Sequence, residues 1–282
     1  MIKKAVFLVM AAMVALTSCT ERIDVELDST YTRLVVDGGV WEGPAACRVS
    51  LSITADYFSN EPAPRVVNAV VTVTDGSTVH RLKETIPGTS GIYAADSAFT
   101  GHAGNTYTLR IELQEEISGT RNAEATCYLA PVTRLDSIGT EFKEEWGPDG
   151  IWMIRLWAQE PADEVNYYLF NYFRNGKCLS DTITQQVVSD DKFYNGSYMT
   201  GVDVIYINNE NEWETLKPGD TVMLQMSGIT KEYYDFVSQV QQAGFSIPFF
   251  SGPPANVQGN VSNGGVGFFS ARSSSYATCV VR

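Results

Sequence analysis

From Leu34 onward the apolar positions recur in short alternating runs, each closed by glycine, asparagine or proline, the pattern of half-buried strands. Leu34-Val35-Val36 leads to Gly38-Gly39, and Arg48 to Thr54 alternates polar with apolar. Val66 to Thr74 reads as one strand closed by Asp75-Gly76, a dipeptide that tolerates the positive φ of a tight turn, with Thr78 to Lys83 as its partner. Gly91-Ile92-Tyr93, Phe99 with Gly101, Gly104 to Ile111 and Ala123 to Leu129 continue the rhythm. Six or seven strands in about 100 residues is the pattern of an immunoglobulin-like sandwich. Tyr107 is placed to serve as its tyrosine corner, with its hydroxyl bonded to a loop carbonyl.

The rhythm breaks at Ala130-Pro131-Val132, which marks a domain boundary. Beyond it, the second half begins with Leu135-Asp136-Ser137-Ile138, and strands are predicted at Trp152–Trp157, Tyr167–Phe173, Asp203–Ile207 and Thr221–Met226, and around Val266–Phe269 and Tyr276–Val281. One helix stands out. Thr230 is a suitable N-cap, Glu232 favours the first turn, and Tyr233, Phe236, Val237 and Val240 form an apolar stripe. Gly244 is expected to close the helix in the left-handed conformation, before an irregular Pro, Asn and Gly-rich stretch to Gly265. The predicted class is mainly β: an immunoglobulin-like β-sandwich over 31–130, then a second β-rich domain over 131–282 with one helix near 230–243.

Before the first strand the text is different. Lys3 and Lys4 precede an apolar run from Ala5 to Leu16, too short for the roughly 20 residues of a membrane span. It ends in Leu16-Thr17-Ser18-Cys19, which resembles the bacterial lipobox, where the cysteine is acylated and the peptide before it removed. Residues 1–18 therefore read as a lipoprotein signal peptide, Cys19 as the lipidation site and 19–30 as a tether. One fatty chain holds a protein only marginally, and two or three make a durable anchor.

Composition narrows the partners. The whole chain carries a net charge of -13, and loss of Lys3 and Lys4 with the signal leaves 33 acidic residues against 18 basic ones. Such a body repels nucleic acid and anionic headgroups alike, so membrane attachment falls to the lipid. Of the remaining cysteines, Cys47 and Cys127 share strand faces with core residues and are candidates for a disulfide. Free buried cysteine is the commoner state, and both alternatives stand. No Cys/His spacing suggests zinc, and no cofactor motif is present.

The mature start, the Leu34-Val35-Val36 strand, Ala69 to Thr74 with Asp75-Gly76, Gly91-Ile92-Tyr93, Gly104-x-x-Tyr107 and Leu135-Asp136-Ser137-Ile138 occur in order. So do Tyr233-Tyr234, Pro253-Pro254-Ala255-Asn256-Val257 and Asn260-Val261-Ser262-Asn263-Gly264-Gly265-Val266-Gly267-Phe268-Phe269. The set resembles a family of Bacteroidota lipoproteins grouped as a domain of unknown function and often encoded beside TonB-dependent outer-membrane receptors. The resemblance implies an outer-membrane accessory protein working with such a transporter. It brings no catalytic residue with it.

Candidate chemistry is sparse. His80 and His102 sit in hairpin or loop text with no nucleophile motif nearby. The Gly264-Gly265-x-Gly267 run lacks the spacing and lysine of a phosphate loop, and reads as a turn or a close backbone approach. Asp190, Asp191 and Asp203 lie in a Gly, Asn and Tyr setting that suits either a carboxylate-dependent hydrolase or a solvated acidic loop. Trp152 and Trp157 have opposite parity in one strand, which places one of them outside the core. Trp146, Trp213, Tyr194 and Tyr198 are the candidate ligand or partner contacts. The expected function is a non-enzymatic, lipid-anchored outer-membrane protein that assists, or captures ligand for, a TonB-dependent transporter. The alternatives are a free-standing surface module for glycan or peptide and a carboxylate hydrolase.

Overall fold

A computed structural model describes residues 32–55, 61–162, 164–209, 215–244 and 257–282. Cys19 and Trp213 lie outside these residues. Seventeen strands are formed among the described residues. The first nine are β1 (Leu34–Trp41), β2 (Gly43–Pro44), β3 (Cys47–Ile53), β4 (Val70–Thr74), β5 (Val79–Glu84), β6 (Ile92–Ala94), β7 (Thr100–Gly101), β8 (Thr106–Ile117) and β9 (Thr120–Tyr128). The remainder are β10 (Leu135–Lys143), β11 (Ile151–Gln159), β12 (Tyr167–Arg174), β13 (Lys177–Cys178), β14 (Val187–Asp190), β15 (Tyr198–Asn208), β16 (Thr221–Ile229) and β17 (Val266–Val280). One α-helix, α1 (Lys231–Gly244), lies between β16 and β17. No described helix is long and apolar enough to cross a membrane. The chain is mainly β, as its period-2 text predicts.

Two cores form within one compact unit, residues 32–282. The first is enclosed by a sheet in the order β17-β1-β3-β6-β5-β4-β8-β9. Its inward positions are the alternating ones: Val36 and Val40, Val49 and Leu51, Val71 and Val73, Leu109 and Ile111, all fully or almost fully buried. The last strand returns to the first, because Ala130, just past β9, bridges Arg272 of β17. The loop before β17 fastens this closure. Asn260 Nδ2 donates to Thr126 O (3.1 Å) and Phe269 O (2.8 Å), Glu124 N donates to Ser262 Oγ (2.8 Å), and Thr120 Oγ1 donates to Asn263 O (2.6 Å). The Asn-Val-Ser-Asn-Gly-Gly run thus covers the edge of β9, an edge that would otherwise present open backbone groups.

The second core lies between the sheet β10-β11-β15 and the strands β12, β16 and the C-terminal half of β17. Ile154 and Leu156 of β11 and Ile205 and Ile207 of β15 meet Tyr168 and Phe170 of β12 and Leu224 and Met226 of β16 there. Trp152 points into this core, while Trp157 is half-buried outside it and spreads over Gly139 and Gly201. Helix α1 covers the far side of β12. Its Thr230 Oγ1 accepts the Tyr233 amide at 3.3 Å as an N-cap does, and Tyr233 and Phe236 pack on Phe268 with ring centroids 5.0 and 5.1 Å away.

Several local expectations are corrected. Val66–Thr74 is not one strand: Asn68 adopts φ 57°, and pairing with β8 begins only at Val70. Gly244 ends α1 without a positive φ. The Tyr107 hydroxyl accepts the His102 amide (2.8 Å) instead of donating to a carbonyl. The stretches around Val266–Phe269 and Tyr276–Val281 are one 15-residue strand, parallel to β1 up to Arg272 and antiparallel to β16 from Ser273. Cys47 and Cys127 face the same core but are not bridged. The Cys127 thiol is engaged by Thr230 and the Ala271 backbone, on the β17 side, whereas Cys47 pairs with Val40 on β1.

Burial raises the Cys47 thiol to about 12 and Cys127 to about 11. Both therefore remain protonated and unreactive at neutral pH. Alkylation of the native protein at about pH 8 should label neither, with reaction at both after denaturation. Peptide mass mapping reads the outcome, and early labelling of Cys47 in the folded protein would contradict the packing. Gly267 supplies a second test. It has φ 94°, and a Cβ there would lie 2.0 Å from Val36 O. Gly267→Ala should cost roughly 2–4 kcal/mol, read as a lowered urea midpoint, while Gly244→Ala, whose Cβ would meet nothing within 4 Å among the described residues, should be near neutral.

Candidate functional site

The second core opens into a cavity of about 280 Å³ between β11 and β15 on one wall and β12 and β14 on the other. Its floor is apolar, built by Leu156, Phe170, Met199 and Met226, all buried. Its mouth is aromatic. Tyr206 is 56% exposed and Tyr194 is 37% exposed, and Trp146 stacks on the outer side of Tyr206 with centroids 6.4 Å apart. Four carboxylates line it: Glu160, Asp190, Asp191 and Asp203. No lysine or arginine does.

The sequence builds this wall by breaking strand alternation. Between β11 and β15 the register slips twice, at Ile154/Arg155 and at Leu156/Trp157. The second slip passes through Gly201, which has φ 64° and no room for a Cβ, since one would lie 2.9 Å from Trp157 Cζ2. Bulges of this kind re-aim side chains. Here Val202, Asp203 and Val204, three successive residues, all reach the cavity.

The carboxylates are in different electrostatic states. Arg155 Nη1 donates to Glu141 Oε2 at 2.6 Å, and its Nε lies 3.0 Å from Asp203 Oδ1 while donating its hydrogen to Gly201 O. Asp203 therefore has a counter-charge at its back. Glu160 has none. It follows the end of β11, held by its amide to Ser197 O (3.0 Å), and is 1% exposed. Its Oε1 accepts from the Tyr168 hydroxyl (2.6 Å) and from Asn166 Nδ2 (3.3 Å), but its buried Oε2 has no hydrogen-bond partner among the described residues. Asp191, 3% exposed, accepts the Asn166 amide at 3.0 Å and Asn195 Nδ2 at 3.3 Å. Asn166 thus ties together two buried acids, neither of which forms an ion pair among the described residues. Burial holds the Glu160 carboxyl above its ordinary range, and the nearby Asp191 charge pushes the same way against the Tyr168 hydrogen bond.

The sequence candidates divide around this cavity. Tyr194, Asp190 and Asp203 line it, and Trp146 reaches its mouth through Tyr206. Tyr198 does not, because its hydroxyl donates to Asp136 Oδ2 at 3.1 Å on the sheet exterior. The solvated-loop reading of Asp190-Asp191 is corrected for Asp191, which is buried and organises the turn carrying Tyr194: the Tyr194 and Asn195 amides bond its carbonyl at 2.7 and 2.9 Å. Glu160 and Tyr168 were not singled out, since a glutamate beside Pro161 at a strand end reads like any exposed acid. His80 packs edge-on against Phe99, 5.0 Å between centroids, away from this site. Among the described residues no group of three or more His, Cys, Asp and Glu is arranged to hold a metal ion. A second concavity has the opposite character: Arg48, Arg65 and Arg272 with Asp37 line a polar groove of about 480 Å³ over β1 and β3.

Fold and cavity together define a β-rich protein with two cores and one acidic, aromatic-mouthed cleft. The chain belongs to the family described as Domain of unknown function (DUF4249), which matches residues 20–277. No curated protein matches it.

Stability provides a check on the state of Glu160. A carboxyl with a raised folded-state pKa contributes stability in full below its unfolded value of 4.5, and loses it as pH rises through the folded value. The groups facing it, Asp191, Glu164 and Tyr168, supply no positive charge to reverse that sign. Glu160→Gln should therefore gain stability relative to the parent as pH rises from below 4.5 through the neutral range. Melting temperatures of both proteins across that range measure it, and a pH-independent difference would show that Glu160 is not buried as a carboxylate.

Proposed function

We propose that this protein is a non-enzymatic outer-membrane lipoprotein, anchored through lipid on Cys19, that captures a small ligand and serves a TonB-dependent transporter. The observation that carries the capture role is the cleft itself, with an apolar floor, exposed Tyr194 and Tyr206 at its mouth, and a buried acceptor, Glu160 Oε2, that the protein leaves unsatisfied. Ligand sites commonly combine an apolar lining with a few fixed polar groups in this way. The family match begins immediately after Cys19, which agrees with a removed signal and a lipidated first residue. The strand order β1-β3-β6 against β4-β8-β9, joined through β5, supports reading the N-terminal half as immunoglobulin-like. That half then serves as a spacer and contact surface between the anchor and the cleft.

A surface module for glycan or peptide is the second reading, favoured by the Trp146–Tyr206 stack beside the cleft. A hydrolase would need Asp190 and Asp203 as its carboxylates, and Asp203 is already engaged in an ion pair with Arg155. Two experiments test the first reading. Cys19→Ala should move the protein from the membrane fraction to the soluble periplasmic fraction, and retention in the membrane would refute lipid anchoring. Affinity purification from native membranes should recover a large β-barrel receptor, and isolation of this protein alone would count against the transporter role.

A further inference from the structure

We propose that the cleft between β11–β15 and β12–β14 recognises a small organic cation, a primary ammonium carried on an apolar or aromatic body, with Glu160 Oε2 as its innermost acceptor. The inference rests on the ligand-capture reading and names the class of ligand.

Four observations converge on it. Among the described residues the lining is one-signed: four carboxylates, of which only Asp203 has an arginine behind it, and no lysine or arginine, so the potential in the cleft is negative and low-dielectric walls focus it. Its most buried acid, Glu160, 1% exposed, has an oxygen, Oε2, with no hydrogen-bond partner among the described residues, while its other oxygen is occupied by Tyr168 and Asn166. A buried carboxylate oxygen without a partner is costly, and an N–H donor bearing positive charge satisfies both its hydrogen bond and its charge. The mouth is built from π-faces, Tyr194 and Tyr206, which attract a cation and also stack on an aromatic body. The floor of Leu156, Phe170, Met199 and Met226 takes up the apolar part of the ligand, and two methionines make that floor adaptable.

The same features separate this ligand class from its neighbours. A neutral apolar molecule fills the floor but leaves Glu160 unsatisfied. An anion meets four acids. A quaternary ammonium satisfies the tyrosine faces but has no N–H for Oε2. A bare divalent cation finds oxygen donors but none of its preferred crowding, since Asp203 is held by Arg155 and no three acids converge. The volume of about 280 Å³ fits a molecule the size of an arylalkylamine, not a sugar chain or a folded peptide.

Calorimetric titration of the full-length protein with 2-phenylethylamine, 2-phenylethanol and calcium chloride tests the proposal. Saturable one-to-one binding of the amine is expected, at least about tenfold tighter than the alcohol. Glu160→Gln should weaken the amine by about tenfold and leave the alcohol unchanged, with circular dichroism confirming that the variant is folded. Asp190→Asn, at the partly exposed rim, should weaken the amine by a smaller factor, and Asp37→Asn, outside the cleft, should leave it unchanged. Equal affinity for amine and alcohol would overturn ammonium recognition while leaving ligand capture intact. Glu160-dependent calcium binding with no amine binding would overturn it in favour of a metal site. Failure of all three probes, together with no thermal shift from a broad fragment set, would remove both this inference and the capture reading beneath it.

Discussion

The structure depends on a single strand that belongs to two cores. β17 runs parallel to β1 as far as Arg272 and then antiparallel to β16 from Ser273, so one stretch of backbone closes the first core and supports the second. Between these halves the chain from Ala130 to Leu135 is tied down: Ser273 Oγ donates to Ala130 O (2.7 Å), the Leu135 amide donates to Ser275 Oγ (2.8 Å), and Pro131 O presses on Gly228. A free linker would let the two cores move independently. These bonds make the junction part of the sheet instead, and the cleft, whose wall includes Met226 of β16, takes its position from that junction.

How legible this was depended on which physical signal each element carried. Strands with one face in a core announce themselves by alternation: β3 was read close to its observed limits, and β1, β8 and β9 were read in place but run further than their most regular text. β17 was read as two strands because its middle, Ser270 to Ser275, contains four serines and an arginine. Those serines are polar because their neighbours are backbone and polar side chains, not lipid-like core: Ser270 Oγ reaches Gly38 O, Ser273 Oγ reaches Ala130 O, and Ser274 Oγ meets Ser227 Oγ and Gln225. Composition alone cannot tell such a strand from a loop. The stretch up to Gly265, by contrast, was read as irregular, and its Asn260–Gly265 end is that, used to cover an exposed edge.

The cleft was half visible for a related reason. Tyr194, Asp190 and Asp203 drew notice because acids and tyrosines in a Gly and Asn setting stand out against apolar text. Glu160 did not, since nothing at Gln159-Glu160-Pro161 separates a buried acid from an exposed one. What buries it is tertiary: the amide bond to Ser197, the Tyr168 hydroxyl arriving from β12, and Asn166 joining it to Asp191. The bulge that turns Val202, Asp203 and Val204 together toward the cavity has a sequence trace only in Gly201, one glycine among 23.

Glu160 and Asp203 line one cavity yet illustrate opposite solutions to the same electrostatic problem. Asp203 has a counter-charge in Arg155, which it shares with Glu141; that ion pair belongs to the sheet and needs nothing from the cleft. Glu160 has only neutral donors on one oxygen and an acid, Asp191, for a neighbour. A carboxylate taken out of water without a counter-ion loses several kcal/mol of hydration, which hydrogen bonds from a phenol and an amide offset only in part. Replacing it with an apolar residue would remove that cost, and the site would then hold Tyr168 and Asn166 with no acceptor between them. The strain is local, lies at the base of an open cleft and is relieved by any group that brings a positive charge and a hydrogen to Oε2. A fold that buries an unpartnered carboxylate oxygen in the wall of a cleft has put part of its binding energy there in advance.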